Sequence, residues 1–137
     1  MFTIWDKIRD LSTLSSTEAV NLGEMVAHGL LHNEALPITV LKKINFADMN
    51  AALVKFLRSV LADLLLSPSE DDVRRTFSML SEKKYKTFRE SIRIFIRHFL
   101  IRNSAKILTG KFANCSEDFL VSRIDVAEKS LLGAFKL

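Results

Sequence analysis

The sequence has little of what disulfide-linked, turn-rich or membrane-spanning proteins need. Its 137 residues include one cysteine, two prolines and four glycines. A single cysteine, Cys115, cannot form an intramolecular disulfide, which is typical of a protein from a reducing compartment. Few glycines and prolines disfavour a β protein with many tight turns. Because Arg93, Arg97 and Arg102 interrupt the most apolar segment, no uncharged stretch approaches the ~20 residues of a membrane span. We therefore expect a soluble intracellular protein that does not bind membranes.

The sequence patterns of enzymes and metal sites are also missing. The chain contains no glycine-rich phosphate-binding loop and no G-x-S-x-G nucleophile motif. His28 and His32 have the four-residue spacing of a zinc site, but Gly29 stands where the zincin motif has glutamate, and no third ligand is evident. Cys115 has no basic residue within three positions to activate its thiol. We expect neither enzymatic activity nor a metal, a cofactor or a small-molecule substrate.

Apolar residues recur at intervals of three and four through most of the chain, a pattern that predicts amphipathic helices. Several of these helices begin at a capping residue. Ser15 with Glu18 has the spacing of a capping box, Ser69 repeats the pattern, and Asn50 and Ser116 are further N-cap residues. The predicted helices cover residues 3–11, 15–32, 37–44, 50–64, 69–80, 84–108 and 116–135.

These elements predict an all-α fold. No segment shows the alternation of a β-strand. About seven helices with short connections favour a HEAT-like array of α-helical hairpins in a single domain over residues 1–137, with a compact bundle as the alternative. Gly23 and Gly29 weaken a helix, so they predict close approach of a neighbouring helix. The predicted core consists of Leu22, Val26, Leu30, Leu41, Phe56, Leu57, Val60, Leu61, Leu64, Phe77, Ile92, Phe95, Ile96, Phe99 and Ile124.

The order of the charges is more informative than the net charge of +4. Residues 74–111 hold eleven basic residues against Glu82 and Glu90, whereas residues 1–73 are net acidic. The steps between basic residues predict one basic ridge along a helix. It could bind RNA phosphates or an acidic protein face, and a solvated surface stripe is the alternative. Base stacking is not expected, because the aromatic residues fall at core positions. The residues of this basic ridge, over 86–97, are Lys86, Arg89, Arg93 and Arg97.

Five stretches of the chain carry a family resemblance. They are Thr3-Ile-Trp-Asp-Lys-Ile-Arg-Asp-Leu11, Asn21-Leu-Gly-Glu-Met-Val-Ala-His28, Ile38-Thr-Val-Leu41, Val54-Lys-Phe-Leu-Arg-Ser-Val-Leu61 and Phe95-Ile-Arg-His-Phe-Leu100. These stretches resemble the C-terminal region of the nucleolar proteins that carry the middle domain of initiation factor four-G, over about residues 2–102. A spliceosomal factor with the same two-module layout resembles residues 21–66 less closely and is the second candidate family.

The resemblance implies a helical adaptor in the nucleus and nucleolus. The nucleolar proteins contain an MA-three domain, a module that binds DEAD-box RNA helicases of the initiation-factor-four-A type during processing of small-subunit ribosomal RNA. Residues 2–48 resemble the C-terminal half of that domain, and residues 49–137 would be a helical extension. In related modules two acidic residues contact the helicase. Asp10 matches the first, Leu14 stands at the second, and Glu18 is the nearest acidic substitute.

Overall fold

The computed structural model describes residues 15–32, 41, 50–102 and 104–133. All regular elements in these ranges are helical, which confirms the all-α prediction and fits a HEAT-like helical array. Within these ranges five helices have nine or more residues, and the sequence predicts about seven over the whole chain. The predicted helices over 3–11 and 37–44 lie outside the described residues, apart from Leu41, which is buried. The helices are α1 (Ser16–His32), α2 (Ala51–Leu65), α3 (Glu70–Ser78), α4 (Lys86–Phe95), α5 (Ser104–Ile107) and α6 (Glu117–Leu131).

The chain divides into two compact units, unit 1 over Met1–Asp63 and unit 2 over Leu64–Leu137. The boundary falls near the C-terminal end of α2. The assignment of residues 1–137 to a single domain remains a prediction, as does its subdivision at residue 48.

Unit 1 contains α1 and most of α2, and each helix begins at its predicted cap. The backbone N–H of Glu18 donates to Ser15 Oγ, and the N–H of Ser15 donates to Glu18 Oε1, both at 3.2 Å, so the capping box is formed. At the start of α2, the N–H of Leu53 donates to Asn50 Oδ1 at 2.8 Å. The capping predictions for both helices are confirmed.

Gly23 is the point of close approach in unit 1, as predicted. A β-carbon at this position would lie 2.7 Å from Ser59 Cβ and 2.9 Å from the carbonyl oxygen of Phe56. Ser59 Oγ donates to the carbonyl oxygen of Val20 at 3.1 Å, which adds a polar contact between the two helices. The small residue therefore allows α1 and α2 to pack nearly backbone to backbone.

Unit 2 is built around α3 and α6, which pack against each other. Both helices have the predicted serine caps: Ser69 Oγ accepts from the N–H of Asp72, and Ser116 Oγ accepts from the N–H of Phe119. Their apolar stripes are buried as expected from the spacing. The buried apolar residues of the two helices are Val73, Phe77, Leu120, Ile124, Ala127 and Leu131.

The long helix predicted over 84–108 is interrupted. A 3₁₀ turn over Lys83–Tyr85 precedes α4, a π-helical segment over Ile96–Ile101 follows it, and the chain turns at Arg102 before the short α5. A π turn holds about one residue more than an α turn, so residues beyond it rotate relative to an uninterrupted helix. This rotation decides which side chains of the segment face inward.

Phe99 is the one predicted core residue that the structure corrects. It is only half-buried, whereas Leu100 is fully buried. In an uninterrupted α-helix Phe99 would follow Ile92 and Phe95 on the inward face, but the π segment shifts that place to Leu100. The Phe99 ring instead stacks on Phe95, with 4.8 Å between the ring centroids. Leu30 cannot be compared, because its side chain lies outside the described residues, and the other predicted core residues are buried.

Candidate functional site

Only one member of the predicted helicase-binding pair falls within the described residues. Asp10 and Leu14 lie outside them. Glu18 is exposed in the first turn of α1, where the helix dipole favours a carboxylate. Its carboxylate also closes the capping box with Ser15. Glu18 therefore combines a local structural role with a position open to a partner.

The outward face of α1 continues from this turn with Asn21, Glu24 and His28, all exposed. Val20 and Met25 are also exposed on this helix. Glu24 and His28 follow one another at helical spacing, but within the described ranges no group of three metal-binding side chains occurs. The side chain of His32 lies outside those ranges. The face of α1 is thus acidic with some exposed apolar surface.

The four residues of the predicted basic ridge lie on α4 and the π segment, but their environments differ. Arg89 is turned toward the protein: its Nη1 donates to the carbonyl oxygen of Leu80 at 2.8 Å and to that of Glu82 at 3.2 Å. These carbonyls follow the C-terminal end of α3, and that of Glu82 also accepts from the backbone N–H of Tyr85 at 3.0 Å. Arg89 therefore ties α4 to the segment that follows α3.

Arg93 and Arg97 both form ion pairs. Arg93 pairs with Glu90 at 3.3 Å, and its side chain is only 26% exposed. Arg97 is 58% exposed and reaches Glu128 of α6 at 2.9 Å. Lys86, at the start of α4, is exposed. The basic ridge thus has an outward part, Lys86 and Arg97, and a part that is half-buried.

Further cations of this region stand at the ends of the same helical stretch. Lys83 and Lys84 belong to the 3₁₀ turn before α4, and Arg102 follows the π segment; all three are exposed. Lys84 lies 3.5 Å from a Glu82 carboxylate oxygen and 5.1 Å from the centroid of the Tyr85 ring. Tyr85 first, and Glu82 second, raise the pKa of Lys84 above its ordinary value.

Arg123 of α6 is a buried cation whose role sequence reasoning missed. It is 7% exposed, and its Nη1 donates to the carbonyl oxygens of Leu65 at 3.2 Å and Ser67 at 2.7 Å. The guanidinium also lies 4.8 Å from the centroid of the Phe119 ring. One feature of the sequence could have predicted its burial: Arg123 is three residues after Leu120, on the inward stripe of α6. A cation on an apolar stripe marks a site where it must find acceptors inside the protein.

Other features predicted from the sequence add no second site. Cys115 is a free, half-buried thiol. No helix in the described ranges is long and apolar enough to cross a membrane. The two predicted sites thus correspond, in the described residues, to the acidic face of α1 and the cationic region around α4.

Comparison with known proteins gives a consistent result. No family model and no solved structure matches the chain. It is 38% identical over 133 residues to Nucleolar MIF4G domain-containing protein 1 of Mus musculus and 36% identical over 137 residues to the Homo sapiens protein of that name. The Drosophila melanogaster homolog is 28% identical over 131 residues.

The similarity covers nearly all of this chain but a small part of its relatives. The matches span 96%, 99% and 95% of the chain, whereas they span 15% of each relative. The names of the relatives agree with the predicted nucleolar localisation. The resemblance seen in the sequence is confirmed, and over almost its whole length this chain is a homologue of a segment of the nucleolar proteins that carry a MIF4G domain.

Proposed function

We propose that this chain is a non-enzymatic helical adaptor of a nucleolar ribosome-biogenesis factor. In this role it docks a DEAD-box RNA helicase of the initiation-factor-four-A type during processing of small-subunit ribosomal RNA. The observation that carries the proposal is the similarity to nucleolar MIF4G domain-containing proteins over 96–99% of the chain. The same relatives favour the nucleolar role over the spliceosomal alternative.

The acidic face of α1 supports docking of a basic partner. Glu18 and Glu24 are exposed, and they lie beside the exposed side chains of Val20 and Met25. Carboxylates around exposed apolar side chains give a partner both charge complementarity and apolar area to bury. Asp10, the other acidic residue of the predicted pair, lies outside the described residues and enters the proposal through the family resemblance alone.

The experiment measures binding of purified helicase by the full 137-residue chain, using biolayer interferometry. The test variant is Asp10→Asn/Glu18→Gln, which removes two charges. Glutamine still serves at the third position of a capping box, so α1 keeps its N-terminal cap. We expect helicase affinity to fall roughly tenfold or more, as for charge pairs desolvated at an interface.

The matched control is Asp118→Asn/Glu117→Gln, which makes the same two changes in the first turn of α6. Both residues are exposed there. The control should bind helicase like the parent chain. Failure of the parent chain to bind, or equal losses in the two double variants, would contradict the proposed contact.

A further inference from the structure

Three exposed cations, on α4 and in the residues that follow it, lie toward one side of the helical stretch. Lys86 and Arg97 are eleven residues apart, close to three α turns, so they lie along the same side. Arg102 is sixteen residues from Lys86, and at about 100° per residue an α-helix would place it nearly opposite. The π segment takes up about one residue and brings Arg102 to within roughly 60° of Lys86. All three side chains are exposed.

These cations are poorly neutralised by the protein itself. Residues 83–102 carry seven basic side chains and one acidic one, Glu90. Within the described part of the chain, Lys83, Lys86 and Arg102 have no carboxylate within ion-pair distance. On α3, by contrast, each arginine pairs with an acidic residue of its own helix. The excess of positive charge around α4 is therefore available to a partner.

The placement of the lysines also opposes the local preference of a helix. The first turn of α4 has no acidic residue, and Lys83, Lys84 and Lys86 crowd near its N-terminal end, where the helix dipole disfavours cations. Like charges at this spacing repel one another and lower stability. Departures from local preference of this kind are expected where a residue serves binding rather than folding.

We propose that Lys83, Lys84, Lys86, Arg97 and Arg102, which we call the cationic strip, bind the phosphate backbone of RNA without base specificity. From Lys86 to Arg102 the cationic strip runs for about 24 Å, which is long enough for several phosphates. Phe88 and Phe95 of α4 are buried, so bases have no exposed aromatic ring of that helix on which to stack. The cationic strip lies in unit 2, and its assignment does not depend on helicase binding by unit 1.

RNA fits this surface better than an acidic protein does. Lysine is depleted in protein–protein interfaces, whereas three of the five residues of the cationic strip are lysines. Ile94 and Ile101 are exposed on the same stretch and would be the apolar contacts of a competing protein partner. Arg89 and Arg93 of the predicted basic ridge are not part of the strip, because one is bonded to backbone carbonyls and the other is mostly buried in an ion pair.

The test is fluorescence anisotropy of the full chain with two labelled single-stranded RNAs of equal length, an oligouridylate and a mixed sequence, at about 50–200 mM salt. The two RNAs should bind equally, and the logarithm of the association constant should fall linearly with the logarithm of salt concentration. Five contacted phosphates predict a slope of about −3.5. The variant Lys86→Gln/Arg102→Gln should make the slope shallower by about 1.4 and weaken binding roughly 10- to 50-fold at low salt.

The matched control is Arg75→Gln/Lys129→Gln, which also removes one arginine and one lysine. Both control residues are exposed and pair with an acidic residue of their own helix. The dependence of RNA affinity on salt concentration should have the same slope for the control variant as for the parent chain. Circular dichroism melts should show that both double variants are folded.

Four results would overturn the proposal. They are the absence of RNA binding at about 50 mM salt, equal losses in the two double variants, a strong preference for one RNA sequence, and equal binding of poly-glutamate with the same number of charges. If poly-glutamate binds equally well, and the variant Ile94→Ser/Ile101→Ser loses that binding, the surface would be assigned to an acidic protein.

Discussion

The two units of this protein hold their helices together by different means. In unit 1, α1 and α2 meet at Gly23, where there is no room for a β-carbon beside Ser59. In unit 2, arginines bridge between segments: Arg123 reaches the end of α2, and Arg89 reaches the segment after α3. The glycine contact depends on shape, whereas the arginine contacts depend on backbone carbonyl oxygens at or after the end of a helix. The two units should therefore respond to different substitutions.

Arg123→Met is expected to have the largest effect on the free energy of unfolding. Methionine fills part of the space but leaves the carbonyl oxygens of Leu65 and Ser67 without their donor. Each bond from a charged donor contributes about 1.5–3 kcal/mol, while loss of a buried charge removes its desolvation cost. We expect a net loss of about 3 kcal/mol in urea denaturation. A loss below about 1 kcal/mol would show that solvent replaces the arginine at these carbonyls.

Arg89→Met should destabilise unit 2 less, by about 2 kcal/mol, because the bond to Leu80 is only partly buried and the bond to Glu82 is exposed. Arg75→Met is the control, since Arg75 of α3 is 64% exposed and pairs with Asp72 of its own helix. The control should change the free energy of unfolding by no more than about 0.5 kcal/mol. If both variants lower the free energy of unfolding equally, the bonds of Arg89 to the segment after α3 contribute no more than a surface ion pair.

Gly23→Ala tests the contact in unit 1. The added methyl group would lie 2.9 Å from the backbone oxygen of Phe56, which cannot move away as a flexible side chain could. Overpacking costs about 1–3 kcal/mol, and the higher helix propensity of alanine returns up to about 1 kcal/mol. We expect a net loss of about 1–2 kcal/mol by thermal or urea unfolding. Asn21→Ala, at an exposed position of the same helix, should be neutral or slightly stabilising.

The Arg97–Glu128 ion pair should show the smallest effect. Arg97 is 58% exposed, so solvent screens the interaction. A double-mutant cycle with Arg97→Gln and Glu128→Gln should give a coupling energy of about 0.5 kcal/mol that falls as salt is raised. A coupling energy above about 2 kcal/mol would show that this ion pair stabilises the protein as strongly as the buried arginine contacts do.

The sequence predicts the helices and most of the core because both depend on local patterns. The capping serines, the apolar stripe of α2 and the close approach at Gly23 each follow from residue type and spacing. The roles of Arg89 and Arg123 do not, since both depend on carbonyl groups brought near by tertiary packing. Charge order located the cationic region of the chain, but only the structure separates its outward side chains from those bonded internally.

The exchange of Phe99 for Leu100 shows the limit of periodicity more directly. The three- and four-residue intervals hold for a uniform α-helix, and the π segment over residues 96–101 breaks that uniformity. Nothing in the local residue types distinguishes Ile96–Ile101 from the α-helix before it.

The π segment amounts to about one additional residue within the helical stretch over residues 86–101. In an uninterrupted α-helix of the same residues, Arg102 would lie about 100° further from Lys86. Deletion of a single residue within the segment would remove the additional residue, so Arg102 should keep its angle to Lys86 in the ordinary α-helix that results. The number of residues that the π turn takes up, rather than the identity of any one of them, decides whether the cations on either side of it face the same way.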